Sequence, residues 1–148
     1  MMRISLRILI VYFSILLQTT LAVKLEIFGI IPNLVLIALF YFQFYSHPEE
    51  MIHIAFWAGI ALDSFSIHYF GVNGFCFVVS SFVMYYINQR LFIDDILSKI
   101  LLNSFAVFLY NVLYYLIING NQLFIFPHDF FAIGFPSFLY TSILSSLV

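Results

Sequence analysis

Charge is the scarcest commodity in this chain. Of 148 residues only five are Lys or Arg and seven are Asp or Glu, against a hydrophobic fraction of 64%. A soluble domain carries roughly a quarter of its residues charged and about half apolar. Twelve charges cannot coat a globule of this size, so lipid is read as the main solvent. Cysteine is also nearly absent: Cys76 stands alone in an apolar run, which excludes an internal disulfide and leaves the redox compartment unread. The net charge of −2 is too small to imply a nucleic-acid partner. Chemistry-bearing motifs are missing as well. His47, His53, His68 and His128 are scattered, with no pair at the i, i+4 spacing of a helix metal site. There is no Gly-rich phosphate loop and no Ser-centred nucleophile motif, so neither a cofactor nor an enzymatic activity is expected.

What is present is a series of long apolar runs, with a mean hydropathy of +1.10. A spanning helix takes about 20 residues, so six spans use about 120 and leave roughly 28 for ends and loops. The expectation is an all-α bundle of about six transmembrane helices forming one polytopic domain over 1–148. Candidate spans are 4–23, 30–46, 51–70, 71–89, 97–118 and 129–147, punctuated by Asn, Gly and Pro. The start, with Arg3 and Arg7 before an apolar run, loosely resembles a secretory signal. That run is long for one, Gln18, Thr19 and Thr20 interrupt its end, and more membrane-type sequence follows, so it is read as the first span. With the N-terminus in the cytoplasm and six spans, Arg3, Arg7, Arg90 and Lys99 fall inside and only Lys24 outside. Cytoplasmic loops retain Lys and Arg, so both termini are expected in the cytoplasm. The stretch from Arg90 to Lys99 reads as an amphipathic turn at the cytoplasmic interface leading into the fifth span.

Asp63 is the one acidic residue that this reading puts well inside a span. Such a group costs on the order of 2.5–3.5 kcal/mol on insertion scales and should face protein or trapped water. Ala55, Gly59 and Asp63 recur at four-residue spacing, and small residues on one face let helices approach closely in lipid. This face is expected to pack tightly around one polar anchor or to contact a partner helix. A ligand or proton site at Asp63 is the less favoured alternative. Ser14 and Gln18 on the first span, and Asn103, Val107 and Asn111 on the fifth, form polar stripes expected to hydrogen-bond between helices. Gly29 and Pro32 suit a turn followed by the first turn of a helix.

Two stretches resemble the rod shape-determining MreD family. The first is Leu17-Gln18-Thr19-Thr20-Leu21 followed by Gly29-Ile30-Ile31-Pro32-Asn33-Leu34. It is similar to the family's polar end of helix one and its Gly-x-x-Pro-(Asp/Asn)-Leu start of helix two. The second is Phe56-Trp57-Ala58-Gly59-Ile60-Ala61-Leu62-Asp63 followed by Gly71-Val72-Asn73-Gly74-Phe75. It resembles the family's Gly-Phe-x-x-Gly-Leu-x-x-Asp helix and the Gly-containing turn after it. Asn33 stands where the family more often has Asp, and Ala55 where it tends to have Gly. Both motifs lie in the first half of the chain.

The resemblance implies a non-enzymatic subunit of the bacterial inner membrane that serves lateral cell-wall elongation. It implies pairing with the single-span protein MreC and, indirectly, with MreB, RodA and a class B penicillin-binding protein, besides membrane lipid. It also implies a fold similar to the substrate-binding S components of energy-coupling-factor importers. The leading expectation is therefore a scaffold subunit binding partner helices through Ala55, Gly59 and Asp63, with Gln18, Gly29, Pro32, Asn33, Gly71 and Gly74 as structural motif residues. The alternative is a membrane-embedded subunit of an importer that binds a small, vitamin-like molecule. A proton- or lipid-conducting carrier using Asp63 is the weakest reading.

Overall fold

The computed structural model describes residues 4–20, 33–44, 47–65, 69–91, 95–120 and 130–146. Among these there are helices and turns and no strand, which agrees with the all-α expectation. The helices are α1 (Ile4–Thr20), α2 (Leu34–Gln43), α3 (Pro48–Asp63), α4 (Val72–Leu91), α5 (Ile96–Ile118) and α6 (Phe135–Ser146). A π-helical turn, Phe130–Gly134, runs directly into α6. Pro136 has no N–H to give to a carbonyl one turn back, which relaxes the usual register there. Of the described helices, α5 is the one long and apolar enough to cross a membrane by length and composition, while α1, α2 and the apolar part of α6 are shorter.

Helices α1 to α5 alternate in direction, and specific contacts fix this. Arg7 near the start of α1 bonds Glu50 in the first turn of α3 at 3.1 Å, so these two helices begin at the same end. The start of α2 meets the end of α1, where Gln18 Oε1 accepts from the Leu34 N–H at 2.7 Å. At the far end of α2, the Lys99 ammonium near the start of α5 lies 5.9 Å from the centre of the Phe44 ring. The end of α3 meets the start of α4 through Asp63.

The innermost helix is α2. Val35, Leu36, Leu39 and Phe40 are fully buried, and Ile37, Phe42 and Gln43 nearly so. Around it pack Val11 and Ile15 of α1, Met51 and Ala55 of α3, Cys76, Phe77 and Met84 of α4, and Val107 of α5. The outer faces are apolar too: Leu9, Phe13, Trp57, Phe75, Phe82 and Leu101 are each more than half exposed. Large apolar side chains on both the inside and the outside suit a bundle whose solvent is hydrocarbon.

The expected stripe of Asn103, Val107 and Asn111 is buried, as its spacing implies. Its bonding differs from the expectation in one respect. Asn111 Nδ2 donates to the Val107 carbonyl of its own helix, and Ser14 Oγ likewise donates to the Ile10 carbonyl. A side chain that reaches its own preceding turn is satisfied without a neighbour. Gly29, Pro32, Lys24, His68 and His128 lie outside the described residues, as do 92–94 of the expected amphipathic turn. Its described parts are Arg90, whose guanidinium lies 4.8 Å from the centre of the Tyr86 ring, and Ile96 and Leu97, both strongly exposed.

Candidate functional site

Asp63 is the last residue of α3, not a mid-span residue as its place in the apolar run 51–70 suggests. Hydropathy cannot tell a helix from the apolar turn that follows it, and the helix ends where the carboxyl group finds donors. Those donors are the first N–H groups of α4, which have no carbonyl of their own helix to meet. The Asp63 carboxylate accepts from the Gly71 N–H at 3.0 Å, from the Asn73 N–H at 3.1 Å and from the Gly74 N–H at 3.3 Å. Asn73 Nδ2 adds a fourth donor at 2.7 Å to the other oxygen. The Tyr110 hydroxyl of α5 in turn donates to Asn73 Oδ1, so three helices are tied together at one point. An acidic group at a helix N-terminus also meets the positive end of the helix dipole. Gly71 makes the turn possible: its φ of +93° belongs to a region that side-chain-bearing residues rarely adopt.

One turn before Asp63 the backbones of α3 and α4 nearly touch. A Cβ built on Gly59 would lie 2.3 Å from the Gly74 Cα and 2.7 Å from the Asn73 carbonyl carbon. Ala55, a further turn back, is fully buried, and Asp63 is 3% exposed. At Gly59 and Asp63 the face that spacing singles out for a partner helix therefore meets α4 of the same chain, and Ala55 lies in the core. The close approach expected of small residues occurs, but within the bundle.

The other motif forms a second cap. Asn33 is the N-cap of α2, its side chain accepting from the Leu36 N–H at 3.1 Å. Gln18 accepts from the Leu34 N–H, and the Asn33 N–H itself donates to Thr141 Oγ1 of α6 at 3.2 Å. The two sequence motifs thus do the same physical work, each supplying acceptors to the start of a buried helix. Replacing Asn33 by Ala is expected to cost about 1 kcal/mol, the usual value of a side-chain cap. Thermal unfolding in mild detergent checks this, with Asn33→Asp expected to retain stability.

Between the two caps lies a cavity of ≈ 400 Å³ whose lining includes Gln18, Asn33, Asn73, Tyr110, Asn111 and Ser137. It collects hydroxyl and amide groups from α1, α4, α5 and α6, and the Tyr110 and Tyr114 rings stack beside it at 5.8 Å. Such a lining can hydrogen-bond an uncharged polar molecule. Among the described residues, no group of three or more His, Cys, Asp or Glu side chains is placed to hold a metal ion.

Sequence reasoning misses four participants. It marks Asn73 only as a turn residue, and it singles out neither Tyr110 nor Thr141. It uses Arg7 only as a topology marker, yet Arg7 is 5% exposed and bonded to Glu50. The signal is there to be read: Arg7, Val11 and Ile15 share one face at four-residue spacing and are the buried residues of α1.

Comparison with known proteins gives one match. No curated protein and no solved structure matched, so the fold similarity to importer S components that the resemblance implies finds no support. The family model described as "rod shape-determining protein MreD" matches residues 1–148, the whole chain, including the second half where no motif is evident. With both caps built from the motifs that first suggest it, the chain belongs to the MreD family of rod shape-determining proteins.

Proposed function

We propose that this protein is a non-enzymatic scaffold subunit of the cell-wall elongation assembly in the bacterial inner membrane. In this reading it binds an MreC-like single-span protein and so helps to position peptidoglycan synthesis by RodA and a class B penicillin-binding protein, in register with MreB. Family membership supports a role in rod-shape determination, and the finer assignment is the proposal. The observation that carries it is the use made of the polar side chains. Asp63, Asn73, Gln18 and Asn33 hold helices of the chain itself in place, while broad apolar faces point outwards. A rigid body with an apolar exterior is suited to holding other membrane helices.

The proposed orientation places both termini in the cytoplasm. Arg7 and Lys99 lie at one end of the bundle, and α4, antiparallel to α3, carries Arg90 to that same end. The positive-inside rule makes this the cytoplasmic end. The caps and the polar cavity then lie towards the opposite face.

The cavity favours a second reading, a small-molecule-binding subunit of an importer. Its ≈ 400 Å³ is within the roughly 300–1,000 Å³ usual for ligand sites. One experiment separates the two. The tagged chain is drawn from native membranes in mild detergent, and both co-eluting proteins and retained small molecules are identified by mass spectrometry. Recovery of an MreC-like protein is the expected result. Recovery of an ATPase-linked membrane subunit with a retained polar compound would establish the importer reading instead.

A further inference from the structure

A long apolar groove runs between α1 and α3 on the outside of the bundle, with a volume of ≈ 640 Å³. Ile8 and Trp57 form its two walls, and Val11, Ile15 and Ala58 its floor. The walls stand out while the floor is low: Trp57 is 66% and Ile8 51% exposed, whereas Ala58 is 4% exposed. Because α1 and α3 begin at the same end, the groove follows both helices for about 11 residues, or roughly 17 Å. That is about three turns of a helix laid alongside.

Its charged groups gather at one end. Glu49, Glu50 and His53 line the groove there, at the end assigned to the cytoplasm. Arg7 lies behind them, buried and bonded to Glu50, while Glu49 is exposed. Among the described residues of the rim, Glu49 and Glu50 face the one Arg7 charge, which leaves a single negative charge over. A phospholipid entering the groove would bring its phosphate against two carboxylates. A membrane-spanning helix with a cytoplasmic N-terminus brings the opposite charge, because the positive-inside rule places Lys or Arg on that flank.

We infer that this groove seats the spanning helix of a single-span partner, whose basic cytoplasmic flank meets Glu49 and Glu50. This rests on the scaffold reading and on the orientation given above, and it adds the face and the chemistry of recognition. Ala58 and Ala61 allow close approach, Trp57 and Ile8 flank the seated helix, and the acidic rim fixes its direction and depth. The Arg7–Glu50 bond holds the two walls in register at the rim.

The test places a photo-crosslinking phenylalanine derivative at Trp57 or Ile8 in the full chain, co-expressed in membranes with the single-span protein recovered by the pull-down. Phe82 of α4 and Leu101 of α5, exposed on other helices, are the control positions. Crosslinks to the partner's spanning helix are expected from Trp57 and Ile8 and not from the controls. Glu49→Lys is expected to lower the yield about fivefold, and reversing the partner's basic flank to acid should restore it. Glu49 is used because it lies outside the Arg7 bond, so the variant keeps the folded bundle.

Crosslinks from Phe82 or Leu101 alone would overturn the groove while leaving the scaffold reading standing. A phospholipid adduct, or a second copy of this chain, at Trp57 in place of the partner would also overturn it. If no single-span protein is recovered at all, the scaffold reading fails first and the groove falls with it.

Discussion

Asp63→Leu will destabilise the folded chain itself by about 3 kcal/mol or more, since several buried donors lose their acceptor at once. The reason lies in what is left behind. Three backbone N–H groups at the start of α4, those of Asn73 and Gly74 buried, and the Asn73 amide lose their acceptor. A buried donor left unsatisfied costs about 1–3 kcal/mol. Asp63→Asn should fall between wild type and leucine, since it keeps one acceptor oxygen but turns an N–H₂ group towards N–H donors. Tyr110→Phe removes only the outer bond to Asn73 and is expected to cost about 1 kcal/mol. Thermal or denaturant unfolding in detergent, read alongside the pull-down, checks the order leucine, asparagine, phenylalanine. An Asp63→Leu chain of unchanged stability that no longer recovers its partner would show the carboxylate acting at an interface between proteins.

Gly59→Ala should rival it, although it adds a single methyl group. The new carbon would sit 2.3 Å from one backbone atom of α4 and 2.4 Å from another, and backbone cannot rotate aside as a side chain can. Overpacking of an ordinary core costs about 1–3 kcal/mol, and a backbone clash that forces two helices apart should lie at or above the top of that range. Separating α3 from α4 also draws Asp63 away from its donors, so the two effects compound. The facing glycine supplies the control. A Cβ on Gly74 meets its nearest neighbour, Ile60 Cγ1, at 3.4 Å, an ordinary contact. Gly74→Ala is therefore expected to be nearly neutral, helped by up to about 1 kcal/mol of helix propensity. Equal losses from the two substitutions would refute the asymmetric fit of these helices.

The helices themselves are largely legible in the sequence, because apolar runs and their Asn, Gly and Pro breaks are local. The span read as 97–118 is Ile96–Ile118, whereas the turn read over Phe70 to Gly74 ends at Gly71, and Val72 to Gly74 already form the first turn of α4. Asp63 stands out by its rarity, but its depth is misread because the residues after it are as apolar as those before. The close-packing face of Ala55 and Gly59 is visible in its spacing. Which helix fills it is not, since a small-residue stripe accepts a neighbour from the same chain or another equally well. The remaining links are long in sequence: Tyr110 bonds a residue 37 positions away. Nothing local marks such pairs in advance.

The bond between Asn33 and Thr141 spans 108 residues, and this sets a clock on assembly. The short central helix α2 is made early, yet the acceptor for the N–H of its cap residue Asn33 arrives with α6. At ribosomal speeds of about 5–20 residues per second, that interval is on the order of 5–20 s. Through it, the start of α2 must rely on Gln18 and its own Asn33. Docking of α6 then acts as a closing bolt: the start of an early interior helix is locked by one made 108 residues later.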